Sequence, residues 1–206
     1  NEQYVLSPKD MCTVDMVPEL IKAGVDSFKI EGRMKNKEYV AAAVATYRNA
    51  VDLYFSNESP TKINVRNVNI LKEIYNRGGF NKGYLQTHND KNMMSMYRPN
   101  HEGVLVGYVD NIKENMIEFK AIESVNPMDV LEIRGSILTE LTSNVMVNKG
   151  SMVSLKAKNL KAIKKGLPIY RTRNTRLLTV LGEKYAKMEV KENINIIVTL
   201  TKGSLA

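Results

Sequence analysis

The stretch SFKIEGRMKN, Ser27 to Asn36, places a carboxylate and two cations directly after a short apolar run. The run ends at Ile30, and Glu31, Gly32, Arg33 and Lys35 follow at once. A plain surface turn favours Asn, Asp, Gly or Pro. The stretch is therefore typical of a functional loop that leaves the carboxyl end of a buried strand.

The residues around this stretch predict alternating strands and helices. YVLS (4–7) reads as the end of a strand, Pro18 to Gly24 as a short helix with proline in its first turn, and 25–30 as a second strand. Asn36 is placed to cap a longer helix whose apolar residues recur every three or four positions. This order is the signature of parallel βα units. Since two such units cannot bury a sheet alone, residues 1–56 are expected to be the trailing βα segment of a truncated TIM-like barrel.

The rest of the chain changes character after Ser56. Residues 57–98 read as a connector with a short helix that ends at Gly78–Gly79. Residues 99–173 contain short β-like runs separated by turn residues: GVLVGYVDNI, MIEFKAI, DVLEIRG, SMVSLKA and LPIYRT. They predict a small β-barrel, which gives the fold class α/β plus β. Residues 174–206 read as a linker and the first strand, INIIVTLTKG, of a further truncated domain.

Composition favours a cytoplasmic protein with an anionic partner. The 206 residues carry a formal charge of +8, one cysteine and no apolar run long enough to span a membrane. No acidic residue occurs between Glu140 and Glu183. The candidate nucleic-acid-binding cations of that interval are Lys156, Lys158, Lys161, Lys164, Lys165, Arg171 and Arg173. The alternative is that these cations form an ordinary solvated face.

The two strand exits carry the candidate catalytic residues, because parallel strands collect functional groups at their carboxyl ends. The candidates are Lys9 and Asp10 at the first exit and Glu31 and Arg33 at the second. Arg33 offers a planar fork for phosphate or carboxylate, while Glu31 or Asp10 either holds the cations in place or acts as a base. A structural ion-pair network is the alternative. Substrate contacts are assigned to Lys35, Tyr39 and Arg77, although a helix C-cap role is the simpler account of Arg77.

The stretch LSPKDMCTVDMVPELIKAGVDSFKIEGRMKNKEYVAAAVATYR, residues 6–48, closely resembles the last barrel segment of peptidase family U32. NRGGFNKGYL (76–85) and the following MMSMYRPNHEGVLVGYV are similar to the connector and β-barrel of its long members. The resemblance implies a TIM-like barrel followed by a β-barrel like those of translation factors. It also implies two functions: a collagenase-like peptidase, or 5-hydroxylation of pyrimidines in ribosomal or transfer RNA, with the long form pointing to the ribosomal branch. The basic interval favours RNA over a peptide substrate.

The segment departs from the family in ways that limit its chemistry. The family's cysteine signature precedes this segment, and Cys12 alone cannot hold an iron–sulfur cluster, which needs about four ligands. The resemblance therefore implies an iron-dependent or iron–sulfur system in full-length members and no cofactor or metal here. We expect an enzyme whose present segment is inactive alone and forms a homodimer to cover its apolar faces. A non-catalytic binding module is the remaining alternative.

Overall fold

The computed structural model describes residues 4–56, 65–88, 91–158, 160–186, 191, 193–199 and 202. It contains four α-helices within these residues: α1 (Val17–Lys22), α2 (Lys37–Phe55), α3 (Val65–Ile74) and α4 (Thr175–Leu181), the last followed by a π-helical turn over Gly182–Ala186. The nine described strands are β1 (Asp10–Met11), β2 (Phe80–Asn81), β3 (Val104–Tyr108), β4 (Asn111–Lys113), β5 (Met116–Lys120), β6 (Val130–Arg134), β7 (Leu138–Thr142), β8 (Met152–Lys156) and β9 (Pro168–Arg173).

Helix α2 forms where its sequence signals predicted it. The Asn36 side chain accepts a hydrogen bond from the backbone N–H of Tyr39 at 2.9 Å, which satisfies one of the unpaired donors of the first turn. The buried face carries Ala42, Ala43, Thr46 and Ala50, whose small side chains allow close packing. This face and the buried Val14, Val17, Leu71 and Leu181 form a helical core.

The predicted second strand is absent, because no described strand pairs with residues 25–30. An extended segment becomes a strand only when a neighbour satisfies its backbone groups. Strand β1 instead pairs in parallel with β2, with Asp10 opposite Phe80 and Met11 opposite Asn81. Phe28 and Ile30 still pack against the helical core. Whether this unit is a barrel remnant stays a prediction.

The β unit contains every predicted strand between residues 99 and 173, and also β7. Strands β3, β9, β6 and β7 form one antiparallel sheet, and β4, β5 and β8 form another. Strands β7 and β8 alternate exposed and buried residues, and their inward side chains meet Phe119, Leu131 and Ile133 in one core. Neither sheet closes on itself among the described residues. The translation-factor-like barrel therefore stays a prediction.

The C-terminal part differs from the predicted strand of a further domain. Helix α4 returns to the helical core, where Leu177, Leu181 and Tyr185 pack. Residues 193–199 have no regular secondary structure, and the other residues after 186 are described only at 191 and 202. The predicted linker at residues 57–60 also lies outside the described residues.

Candidate functional site

Three segments come together beside α2 and enclose a pocket. The first holds β1, which pairs with β2, and the side-chain amide of Asn81 donates to the backbone oxygen of Lys9 at 2.7 Å. The second is the irregular stretch 28–31. The third is the end of α3 with the residues up to Arg77. The cavity has a volume of about 480 Å³, which is within the range of small-molecule sites.

Six of the seven predicted catalytic and substrate-binding residues line this pocket. They are Lys9, Asp10, Glu31, Lys35, Tyr39 and Arg77. Arg33 is exposed and is not among the lining residues. The two segments thus reach one cavity, although neither leaves a strand. The strand predicted at residues 4–7 is wrong, since these residues form a turn and Asp10 begins β1.

Asp10 and Arg77 form the shorter of the two described ion pairs among the pocket-lining residues. The backbone N–H of Arg77 donates to Oδ2 of Asp10 at 2.9 Å, and Nη2 of Arg77 lies 3.1 Å from Oδ1. Both side chains are largely sheltered, with 27% of Arg77 and 16% of Asp10 exposed. This pair ties β1 to the end of α3, which supports the structural alternative for Asp10. It also gives Arg77 a partner other than a helix C-terminus.

The loop after Ile30 divides its charges between the pocket and the solvent. Oε1 of Glu31 accepts a hydrogen bond from the backbone N–H of Arg33 at 3.0 Å, and Oε2 lies 3.9 Å from Nζ of Lys29. The Glu31 carboxylate therefore closes a local turn, and the exposed Arg33 side chain lies outside the pocket lining. The catalytic roles of Glu31 and Arg33 stay a prediction.

Lys35 lies over an aromatic ring that the sequence analysis did not single out. Its Nζ is 2.9 Å from the ring centroid of Tyr75 and 5.8 Å from that of Tyr39. The two tyrosine rings meet edge to face at 89°. The ring of His101 also stacks with Tyr75, at a centroid separation of 5.4 Å. Tyr75 thus contacts both an ammonium group and an imidazole.

His101 lies between the pocket and the β unit. Its Nδ1 lies 3.0 Å from the backbone nitrogen of Asn76 and 3.3 Å from the backbone oxygen of the same residue. Nε2 is buried without a hydrogen-bond partner in the described residues. Burial lowers the pKa of His101, and the nearby Arg98 lowers it further. The imidazole is therefore held in its neutral form.

Stability should fall below neutral pH because of His101. Its folded-state pKa lies below the unfolded value of about 6.5, so the unfolded chain binds the proton more readily. The free energy of unfolding should decrease as the pH falls from 7 through 6.5 and level off below the folded pKa. Urea unfolding at several pH values, for the wild type and His101→Gln, measures this. His88 is common to both proteins, so equal pH slopes would contradict the expectation.

Two further polar groups near the pocket are uncharged. Burial raises the pKa of the Cys12 thiol, and burial likewise raises the pKa of the Tyr47 hydroxyl. The Tyr47 oxygen accepts a hydrogen bond from the backbone N–H of Thr13 at 2.8 Å. Cys12 is buried and packs in the helical core, as a small apolar residue would. A protonated thiol in this setting is a poor nucleophile.

The predicted RNA-binding cations separate into two groups. Lys156, Lys158, Lys161, Lys164, Lys165 and Arg173 are exposed. Arg171 requires a correction, since only 4% of it is exposed. Its guanidinium bonds Glu73 of α3 and Asp129, which precedes β6. It is an internal tie between the two units and is not available to RNA.

The geometry thus defines a protein with a cation-rich, aromatic pocket in a helical unit and a separate lysine surface on a β unit. The pocket-lining residues all fall within residues 1–95, which match the family model described as Peptidase family U32. The predicted resemblance to peptidase family U32 is therefore confirmed over this segment.

Curated relatives carry both functional names. An uncharacterized protease of Methanocaldococcus jannaschii is 28% identical over 84% of this chain and 46% of its own length. The tRNA hydroxylation protein P1 of Bacillus subtilis is 47% identical over 25% of this chain and 12% of its own length. A collagenase of Porphyromonas gingivalis is 35% identical over 40% of this chain and 20% of its own length. The chain thus spans less than half the length of each of these relatives, and no solved structure matches it.

Proposed function

We propose that this chain is part of a U32 protein that takes part in 5-hydroxylation of pyrimidines in ribosomal or transfer RNA. In this proposal the β unit holds the RNA, and the pocket beside α2 belongs to the substrate site. The names of the Bacillus subtilis tRNA hydroxylation proteins support the RNA substrate. The cytoplasm, where such RNA occurs, is proposed as the location. No described helix is long and apolar enough to cross a bilayer.

The observation that carries the proposal is the lysine surface, defined here as Lys158, Lys161, Lys164 and Lys165. All four side chains are exposed, and none forms an ion pair with a described carboxylate. They lie between β8 and β9, in the interval without acidic residues. Unpaired surface cations favour phosphate binding because each contact releases counterions from the nucleic acid.

Neutralising the lysine surface should weaken RNA binding and its salt dependence. The variant Lys158→Gln, Lys161→Gln, Lys164→Gln, Lys165→Gln should bind single-stranded RNA about tenfold more weakly at 0.1 M salt. The slope of log affinity against log salt should become shallower by about 0.7 for each lost phosphate contact. Fluorescence anisotropy with a labelled oligonucleotide measures both quantities.

A matched control separates a specific surface from net charge. The exposed lysines Lys22, Lys37, Lys120 and Lys184 lie outside the segment between β8 and β9, and replacing all four by Gln removes the same charge. The slope of log affinity against log salt should be nearly the same for this control as for the wild type. Equal losses in the two variants would show that net charge alone attracts RNA and would overturn the proposed surface.

The hydroxylation chemistry itself requires residues beyond those described. The family resemblance implies an iron-dependent or iron–sulfur system. Cys12 is buried and is the single cysteine, and the described residues contain no group of three or more His, Cys, Asp or Glu that could hold a metal ion. These residues do not fit such a cofactor.

Peptide hydrolysis is the second candidate, favoured by the 35% identity to a collagenase. Nucleoside mass spectrometry of RNA from cells lacking the complete gene separates the two. Loss of a 5-hydroxylated pyrimidine supports the proposal. Unchanged nucleosides, together with collagen cleavage by the full-length protein, would favour a peptidase.

A further inference from the structure

The pocket contains two lysines that lack an acidic partner among the residues that the structure describes. Glu31 lies near Lys29, and Asp10 pairs with Arg77, which accounts for both lining carboxylates. Lys9 and Lys35 form no ion pair with any described residue. The pocket therefore has an excess of positive charge, which suits an anionic ligand group.

The walls of the pocket suit a flat ring. Five lining residues are aromatic: Phe28, Tyr39, Tyr47, Tyr75 and Phe80. Unpaired bases are commonly recognised by stacking on such side chains. A volume of about 480 Å³ is enough for a mononucleotide.

The Tyr75 ring is the wall on which we expect a base to stack, and Lys35 lies over this ring. The His101 ring also stacks on Tyr75, and Lys35 lies over the Tyr75 ring, so a base that stacks there would take the place of Lys35. A lysine side chain is flexible, and its contact with the ring is weak enough to be displaced. Lys35 can therefore leave the ring and bind an anion nearby.

We propose that the pocket binds one nucleotide of the RNA, with its base on the Tyr75 face that Lys35 covers and its phosphate on Lys35 and Lys9. This inference rests on the proposed function and adds the ligand subsites. Lys35 has two states: it covers Tyr75 when the pocket is empty and binds phosphate when a nucleotide enters. Asp10 keeps Arg77 in place and is a positioning residue.

If Lys35 has these two states, its replacement should affect the affinity for a nucleotide and the affinity for the corresponding nucleoside differently. Uridine 5′-monophosphate should bind the wild type about tenfold tighter than uridine, because it adds charge-assisted hydrogen bonds. Lys35→Gln should weaken binding of the monophosphate about tenfold. The same variant should leave the affinity for uridine unchanged or raise it up to about fivefold, since the Tyr75 ring is no longer covered.

Titrations of the 206-residue chain followed by NMR test this, with Lys37→Gln as the matched control. Lys37 is exposed two residues further along and does not line the pocket, so its variant should bind both ligands as the wild type does. A monophosphate no tighter than uridine would overturn the proposal. So would a Lys35→Gln variant that behaves like Lys37→Gln, or a short peptide that binds the pocket more tightly than the monophosphate.

The outcome is distinguishable from failure of the proposed function. If the lysine surface supports salt-dependent RNA binding while the pocket ignores nucleotides, only the pocket inference fails. If RNA binding is also insensitive to the lysine surface, the proposed function fails with it.

Discussion

Replacing Arg171 with Met should lower the free energy of unfolding by about 3–5 kcal/mol, the usual cost of breaking a buried ion pair from one side. Nε of Arg171 lies 3.0 Å from Oε2 of Glu73, and Nη1 lies 3.1 Å from Oδ2 of Asp129. Asp129 is fully buried and also accepts backbone hydrogen bonds from Asn126 and Thr175, each at 3.0 Å. Without the guanidinium, two sheltered carboxylates would lack a cation.

Arg173→Met is the control for this expectation. Arg173 lies two residues further along β9, but it is exposed, so its loss should change the free energy of unfolding by about 0.5 kcal/mol or less. Urea denaturation of the two variants measures the difference. Equal midpoints would show that the Arg171 network does not stabilise the fold.

Phe119→Ala should be similarly costly, at about 3–5 kcal/mol, because Phe119 is fully buried in the core of the β unit. Its ring fills the space left by Gly107 on β3, where an added Cβ would lie 2.4 Å from Cδ2 of Phe119. Phe55→Ala makes the same change at a residue that is 68% exposed, and it should cost about 1 kcal/mol or less. Thermal and urea unfolding measure both.

The pairing of Gly107 with Phe119 gives a second check. Gly107→Ala should destabilise the wild type by removing room for the ring, and it should cost less in the Phe119→Ala background. Additive effects would show that the ring and the glycine do not share this space.

Local signals predicted the elements that depend on local physics. The Asn36 cap and the three-to-four spacing after it predicted α2, and turn residues predicted most strands of the β unit. Residues 25–30 have a strand-like sequence, but pairing requires a neighbour, and the neighbour of β1 comes from Phe80–Asn81, about 70 residues later in the chain. Strand β7 was missed, although Thr139 and Leu141 alternate with exposed residues as a half-buried strand requires.

The sequence predicted that residues from two loops meet at one place, but it did not predict which residues they contact there. Lys9, Asp10, Glu31, Lys35, Tyr39 and Arg77 do line one pocket. Tyr75 and His101 were not connected with it, because the stacking depends on where the β unit meets α3. Arg171 was misjudged, and its signal was available: Ile169 and Arg171 are two residues apart on β9, so they share the buried face.

The return of α4 to the helical core means that the β unit is fastened at both of its ends. Helix α3 precedes this unit, α4 follows it, and both pack beside α2. A module held at two points cannot swivel as one on a single tether can. The distance between the lysine surface and the pocket is thereby kept constant. Under our proposal, this distance determines which nucleotide along a bound strand reaches Tyr75.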